Sequence, residues 1–257
     1  MPSNYTHYRF ARRMLPRLDA RVAKYPGLYY TACHGADPMF YFDAFKPNPV
    51  RAIADEYHKI TGRELFTAAC DRLRGNCSDG EYAYLFGFLT HYCMDSTCHP
   101  FVNGLCREGV CGHAALETEF DRFLMEKDGI RKPHRVDLSE HVKLRDEEYA
   151  IAASFYPPLT AEEFRVSVEK MHKANGLLSG NSCIPRFLVE WYLNRIGGDI
   201  RDQMMRSSPD PRTAHLDEEL LSYYNRAEER FPELQRQLEA CLRDGTPLGS
   251  EFDANFE

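Results

Sequence analysis

Three residues with metal-ligating side chains, His91, Asp95 and His99, recur at four-residue intervals in the run Gly87-Phe-Leu-Thr-His-Tyr-Cys-Met-Asp-Ser-Thr-Cys-His-Pro100. Residues four apart share one face of an α-helix, so two imidazoles and a carboxylate can aim at one point. Pro100 disfavours helical backbone at the residue before it, which places His99 at the C-terminal edge of that helix. A second pair with the same spacing follows in His113-Ala-Ala-Leu-Glu117. Two helices that each present His and carboxylate, joined by a short loop, could enclose a polynuclear metal site. Imidazole with carboxylate suits zinc ahead of iron or manganese, and a bridging carboxylate suits two ions held a few ångströms apart. His7, His34, Asp37 and His58 are further candidates upstream. The competing reading is ordinary: such a pair on one helix is commonly a stabilising or surface pair. By composition alone the two readings stand level. His134, His141, His172 and His215 read as surface or satisfied core histidines.

Cys93, Cys98, Cys106 and Cys111 fall in the same region, but their spacings are not those of common zinc ribbons. They read as small buried thiols, with Cys98 and Cys106 close enough to the site to be open to oxidation.

Positioning these residues requires helices, and the patterning supplies them. The sequence predicts helices over residues 5–15, 49–61 and 65–74. A capping box in Ser78-Asp-Gly-Glu81 opens the central helix. Residues 100–112 read as a loop, and 113–127 as the second ligand helix. Further helices are predicted over 140–155, 160–175 (opened by the capping box Thr160-Ala-Glu-Glu163), 185–195, 216–230 and 232–243. Residues 26–48 read as a long ordered loop, Gly62 as a helix stop, and residues 246–257 as a polar, frayed tail. No stretch alternates with period two. The expected fold is all-α, one domain over residues 1–257, with the metal-site helices in 1–127 and further helices in 128–245.

At 257 residues the chain can bury a sizeable core. Its net charge of −7 argues against nucleic-acid binding through a basic face and against docking on an anionic membrane. No apolar stretch is long enough to span a bilayer, so stable membrane insertion is not expected. The start, Met-Pro-Ser-Asn-Tyr-Thr-His7, has no basic segment followed by an apolar run. The nine cysteines are then expected as free thiols in a cytoplasmic protein; a leader missing from the chain would instead make it secreted. Oligomeric state is not legible.

The run Tyr84-Leu-Phe-Gly-Phe-Leu-Thr-His-Tyr-Cys-Met-Asp-Ser-Thr-Cys-His-Pro100 resembles the central motif of the bacterial zinc-dependent phospholipase C family, related in fold to the fungal single-strand-specific zinc nucleases. Other pieces match in order: Thr6-His7-Tyr8, Gly35-Ala-Asp-Pro-Met-Phe-Tyr41, His58 in Glu-Tyr-His-Lys, and His113-Ala-Ala-Leu-Glu117. The resemblance implies an all-α fold with two or three Zn2+ per chain. It implies that Asp37, His58, His91 and Asp95 hold one zinc and that His99, His113 and Glu117 hold a second. His7 would contribute to a third, with Asp95 as the bridge. Asp37 could also accept a proton in catalysis. His34 would be an extra ligand or a group supporting the ligands. Secreted members complete the third site with an N-terminal Trp, whereas the only tryptophan here is Trp191; the third ion is then missing, weakly held or completed by water. The interval from Asp95 to His99 is also shorter than in those members. Phe40, Tyr41, Tyr57 and Phe88 would line a choline-accepting pocket, or build ordinary core. The implied activity is hydrolysis of a phospholipid or other phosphodiester by metal-bound hydroxide. A zinc-dependent nuclease or another soluble phosphodiesterase is the alternative enzyme, and a metal-stabilised binding protein the alternative without catalysis.

Overall fold

The helix that carries the first ligand triplet is buried on every side. In the computed structural model, which describes residues 4–44, 46–180 and 182–257, α5 spans Asp79–Arg107, and every residue from Tyr82 to Ser96 is buried. A helix apolar all round belongs at the centre of a core. Its start is fixed as the sequence predicts: Ser78 Oγ accepts from Glu81 N, and the Glu81 carboxylate accepts from Ser78 N at 3.0 Å. Gly87 lets a neighbouring helix come close, since a Cβ there would lie 2.4 Å from the Tyr29 carbonyl oxygen.

Around it, in chain order, lie α1 (Asn4–Met14), α2 (Pro26–Ala32), α3 (Pro49–Lys59), α4 (Gly62–Leu73), α6 (His113–Lys127), α7 (Glu148–Ala153), α8 (Ala161–Ser179), α9 (Arg186–Ile196), α10 (Gly198–Asp202) and α11 (Asp217–Asp244). The main core draws on residues from Tyr5 to Phe256, and a smaller one lies beneath α9. Among the described residues there is no β-strand, and no helix is long and apolar enough to cross a membrane. The fold is all-α.

Several boundaries differ from the sequence reading, each for a reason that lies in tertiary packing. α5 does not end at His99 but continues through Pro100 to Arg107. A helix-interior proline costs about 3 kcal/mol. Here the two turns beyond it are anchored by buried Val102 and by Phe101, whose ring stacks on Tyr223 of α11 at 4.8 Å. α11 likewise runs through Pro232 as one helix, because Tyr224, Ala227, Phe231, Leu234 and Leu238 form an unbroken buried stripe across it. Gly62 opens α4 instead of closing α3: Thr61 and Glu64 form a capping box, and a Cβ on Gly62 would lie 2.4 Å from the Tyr92 ring. The expected loop at 26–48 contains α2 and a 3-10 turn, Asp37–Tyr41. The helix expected over 140–155 shrinks to α7. Ahead of it, Asp137 Oδ1 accepts from Ser139 N and Oγ, and His172 binds the Ser139 hydroxyl and the Val142 carbonyl. Such local side-chain bonds compete with helix.

The tail is the largest correction. Leu248, Phe252 and Phe256 are buried in the main core. Tyr92 donates its hydroxyl to the Glu251 carbonyl at 3.0 Å, and Gly62 N donates to the Ala254 carbonyl at 2.9 Å.

Candidate metal centre

Eight side chains expected from the sequence converge on one buried spot. His91, Asp95 and His99 arrive on successive turns of α5. His113 and Glu117 come from the first two turns of α6, His58 from the last turn of α3, His7 from α1, and Asp37 from the 3-10 turn. Asp95 sits in the middle. Its carboxylate oxygens lie 3.2 Å from His7 Nε2, 3.1 Å from His91 Nε2 and 3.9 Å from His99 Nδ1. Asp37 reaches His58 Nε2 at 3.0 Å and His91 Nδ1 at 3.9 Å. Glu117 Oε1 lies 3.3 Å from His99 Nε2 and 3.0 Å from His113 Nε2.

Three of the five imidazoles are oriented from behind. His58 Nδ1 donates to the Ala54 carbonyl at 2.7 Å, His99 Nδ1 to the Phe256 carbonyl, and His113 Nδ1 to Asn103 Oδ1 at 3.2 Å. A donated Nδ1–H fixes the tautomer and leaves Nε2 as a lone-pair donor facing the centre. His7 is set by the N-terminus of α1, where Asp121 from α6 accepts from Tyr5 N, Thr6 N and Thr6 Oγ1 at 3.0, 2.8 and 2.7 Å. Asp37 is set by the turn before it. Gly35 has φ +53°, and a Cβ there would lie 2.2 Å from His91 Cδ2. Only glycine satisfies both conditions.

The electrostatics are those of carboxylates kept ionised in a dry site. Burial opposes charge on Asp95, yet His91, His99 and His7 hold its pKa well below the ordinary range. Asp37 is held low by His91 and His58 against the same burial, and Glu117 by His113 and His99. Burial pushes His91 down to about 4 despite its carboxylate neighbours. For His99 the balance reverses: Asp95 and Glu117 overcome burial and lift it to about 9.

The donor set fits a metal. His7, Asp37 and His91 offer ligand atoms all within 4.8 Å of one another; so do His58, His91 and Asp95, and so do His99, His113 and Glu117. Both ring nitrogens of His91, His7 Nδ1, His113 Nε2 and Glu117 Oε2 are buried without a hydrogen-bond partner. His91 Nε2 and His113 Nε2 approach carboxylate oxygens at 3.1 and 3.0 Å without hydrogen-bond geometry. Such atoms could share an ion, since buried polar groups ordinarily have a hydrogen-bond partner.

His34 does not join them. It is fully buried, and its Nε2 shares one hydrogen with His141 Nε2 at 2.6 Å. Burial lowers the pKa of both rings, that of His141 to about 3, so both are neutral. His141, expected as an unremarked histidine, also stacks on Tyr8 at 4.1 Å. With Cys33 these two form a fourth group of possible ligands. None of Cys93, Cys98, Cys106 and Cys111 falls in a metal-holding group among the described residues, and none is in a disulfide. Burial pushes the Cys98 thiol far up, which disfavours the thiolate that oxidation requires.

The centre opens into a cavity of about 850 Å³, lined by seven of the eight residues together with Phe40, Asp55, Asn103, Arg107 and the end of the tail, Asn255 to Glu257. Of the four aromatics expected at a pocket, Phe40 lines this cavity and Tyr41 an adjoining one. Tyr57 packs on Tyr156 at 5.0 Å, and Phe88 is buried behind His91; both belong to the core. Phe256, Asn103 and Asp121 were not legible as site residues. Phe256 stacks on His91 at 5.5 Å and 30°. Its one sequence signal is the four-residue spacing of Leu248, Phe252 and Phe256.

Comparison with known proteins adds one finding. The family model described as zinc dependent phospholipase C matches residues 6–174. No curated protein and no solved structure matches the chain. The matched stretch contains all eight converging residues and leaves out α9, α10, α11 and the tail.

Proposed function

The chain belongs to the zinc-dependent phospholipase C family, and on that premise we propose that it is a zinc-dependent phosphodiester hydrolase whose substrate is a phospholipid. The supporting observation is the convergence of His7, Asp37, His58, His91, Asp95, His99, His113 and Glu117 on one cavity. In this reading Asp37, His58, His91 and Asp95 hold one Zn2+ and His99, His113 and Glu117 a second. His7 joins Asp95 at a third, giving two or three ions per chain. Bound zinc supplies Lewis-acid polarisation of the phosphoryl oxygens and a water acidic enough to ionise near neutral pH.

The chain's own residues do the rest. Asp37 has a second oxygen facing His91, in addition to the one bonded to His58, so it can take up the proton that the attacking water releases. The new bond is from the water oxygen to phosphorus; the bond that breaks is from phosphorus to the glycerol oxygen, which takes up the proton that Asp37 received and leaves as the alcohol of a diacylglycerol. Phe256 and Phe88 close the His91 side of the centre to solvent. The Nδ1 bonds of His58, His99 and His113 keep three imidazoles aimed without further reorganisation.

The test is turnover of a chromogenic choline phosphodiester, of phosphatidylcholine and of single-stranded DNA by the purified chain. Each is measured before chelation, after chelation and after zinc is restored. Hydrolysis of the choline esters that is lost on chelation and regained with zinc is the expected result. Cleavage of DNA alone would make the protein a nuclease. Bound zinc without turnover of any of the three would make it a binding protein.

A further inference from the structure

α9 has two faces of different character. The inner face, Val189 and Leu193, builds a small core with Met204 and the partly buried Leu177, Leu178 and Ile200. The outer face is bare. Phe187 is 68% exposed and Trp191 58%, with Ile184, Leu188 and Tyr192 also exposed. At 100° per residue the four that lie on the helix, Phe187, Leu188, Trp191 and Tyr192, fall within one arc of its surface, and Ile184 precedes them. Among the described residues, every exposed large apolar side chain except Val110 lies between positions 184 and 196. Such a patch, unlike scattered exposed residues, calls for a partner.

Charge is arranged around the arc and not across it. Arg201 bonds Asn194 Oδ1 at 2.5 Å and Glu190 Oε1 at 3.5 Å, along the flank of the helix. The charge within the arc is Arg195, whose guanidinium lies 5.0 Å above the Trp191 ring. Aromatic rings with a polar edge beside one cation suit the boundary between lipid headgroups and acyl chains.

Behind α9 lies a cavity of about 750 Å³. Tyr41, Leu177, Leu178 and Leu193 line it together with the charged Asp43, Arg51 and Lys170, and it shares Phe40, Asp55 and His113 with the cavity of the metal centre. A cavity fit for a phosphodiester thus adjoins one whose lining is largely apolar. α9 contributes Leu193 to the wall of the second cavity, and its other face is uncovered.

We propose that α9 is a docking helix that seats its outer face in a zwitterionic phospholipid surface, and that the cavity behind it takes the acyl chains of the lipid whose phosphate enters the metal centre. The proposal rests on the phospholipid reading of the site. A lipid surface is favoured over a second copy or another protein by continuity: the helix with the bare face also lends Leu193 to a largely apolar cavity that shares Phe40, Asp55 and His113 with the metal-centre cavity. A zwitterionic surface is favoured over an anionic one because the arc carries one cation and the chain has net charge −7, where anionic membranes recruit clustered basic residues.

Trp191 is the only tryptophan in the chain, so its emission reports on α9 alone. Adding phosphatidylcholine vesicles to the zinc-loaded full chain is expected to shift that emission to the blue, and vesicles with brominated acyl chains to quench it. A Phe187→Ser, Leu188→Ser double variant keeps the reporter and alters only exposed positions. It is expected to lose the shift and to hydrolyse vesicles at least tenfold more slowly, with turnover of a soluble choline diester within twofold of the parent. For short-chain lecithins below their aggregation threshold, kcat/KM is expected to rise with acyl length.

Emission unmoved by vesicles overturns the docking helix, and a flat chain-length profile overturns the acyl cavity. A blue shift that grows with protein concentration in the absence of lipid overturns the proposal in favour of self-association. Insertion without turnover of any phosphodiester would sustain the docking helix and refute the catalytic reading, so the two failures are distinct.

Discussion

Replacing Phe256 with alanine tests whether the end of the chain belongs to the metal centre. The ring is 1% exposed. It stacks on His91 at 5.5 Å and lies 5.2 Å from Tyr92, 5.8 Å from Phe88 and 6.1 Å from His58. Removing a buried phenylalanine ring costs roughly 3–5 kcal/mol. The low end applies here, because the disturbance is bounded: Gly62 N still holds the Ala254 carbonyl and Arg63 still holds Asp253. The effect should therefore stay local, with two consequences at the site. His91 loses the ring that fixes its plane, and the backbone carbonyl of residue 256, which His99 Nδ1 binds, loses the ring that anchors it. Outer partners of metal-binding histidines commonly contribute 10–100-fold in affinity. Phe256→Ala is thus expected to lower stability by about 3 kcal/mol in urea titration and to weaken zinc binding about tenfold or more in competition with a chromogenic chelator. Phe256→Leu should retain most of both. A Phe256→Ala protein with unchanged urea midpoint and unchanged zinc affinity would refute the reasoning.

Asp121→Ala leaves two backbone N–H groups and one hydroxyl at the start of α1 without their acceptor. At roughly 1–3 kcal/mol for each buried orphan, combined non-additively, the loss is about 3 kcal/mol by denaturant unfolding; a loss below about 1 kcal/mol would contradict it. Gly35→Ala combines a left-handed φ with a Cβ 2.2 Å from the His91 ring, and is expected to cost roughly 2–5 kcal/mol in thermal unfolding and to reduce zinc uptake; wild-type values for both would contradict it. In metal-free protein, stability is expected to peak at about pH 6.5. On the alkaline side, His99 is raised to about 9, so its stabilisation is complete below the unfolded value near 6.5 and disappears as pH rises through 9. On the acid side, Asp37, Asp95 and Glu117 are held low; they stabilise above about 4 and lose that effect as they protonate. His91, lowered to about 4, adds to the acid loss, because unfolding lets it bind a proton below about 6.5. Zinc should flatten the alkaline fall, since the ions take the place of protons. Metal-free stability that rises steadily from pH 5 to 9 would contradict this assignment.

What was legible in the sequence was local in origin. The spacing of His91, Asp95 and His99 and of His113 and Glu117 follows from helical phase, and the capping boxes at Ser78 and Thr160 follow from contacts three residues apart. Both survive folding intact. The passage of α5 through Pro100 and of α11 through Pro232 was not legible, because distant packing decides whether a proline ends a helix. The same holds for His34 and His141, 107 residues apart in sequence, and for the hold of Asp121 on α1. The tail reads as polar because Leu248, Phe252 and Phe256 are separated by charged and small residues. Their burial depends on the Tyr92 and His91 rings of α5, which no local pattern announces.

Zinc content, measured by elemental mass spectrometry on protein purified without chelators, bears most directly on the metal centre. It should be measured beside an Asp95→Ala variant, whose fold is checked by circular dichroism. Asp95 touches His7, His91 and His99, so its removal is expected to lower the zinc content. Two or three zincs per chain in the parent, with fewer in a folded Asp95→Ala protein, is the expected result. A parent that binds no zinc, or a variant that binds as much as the parent, would contradict the metal centre.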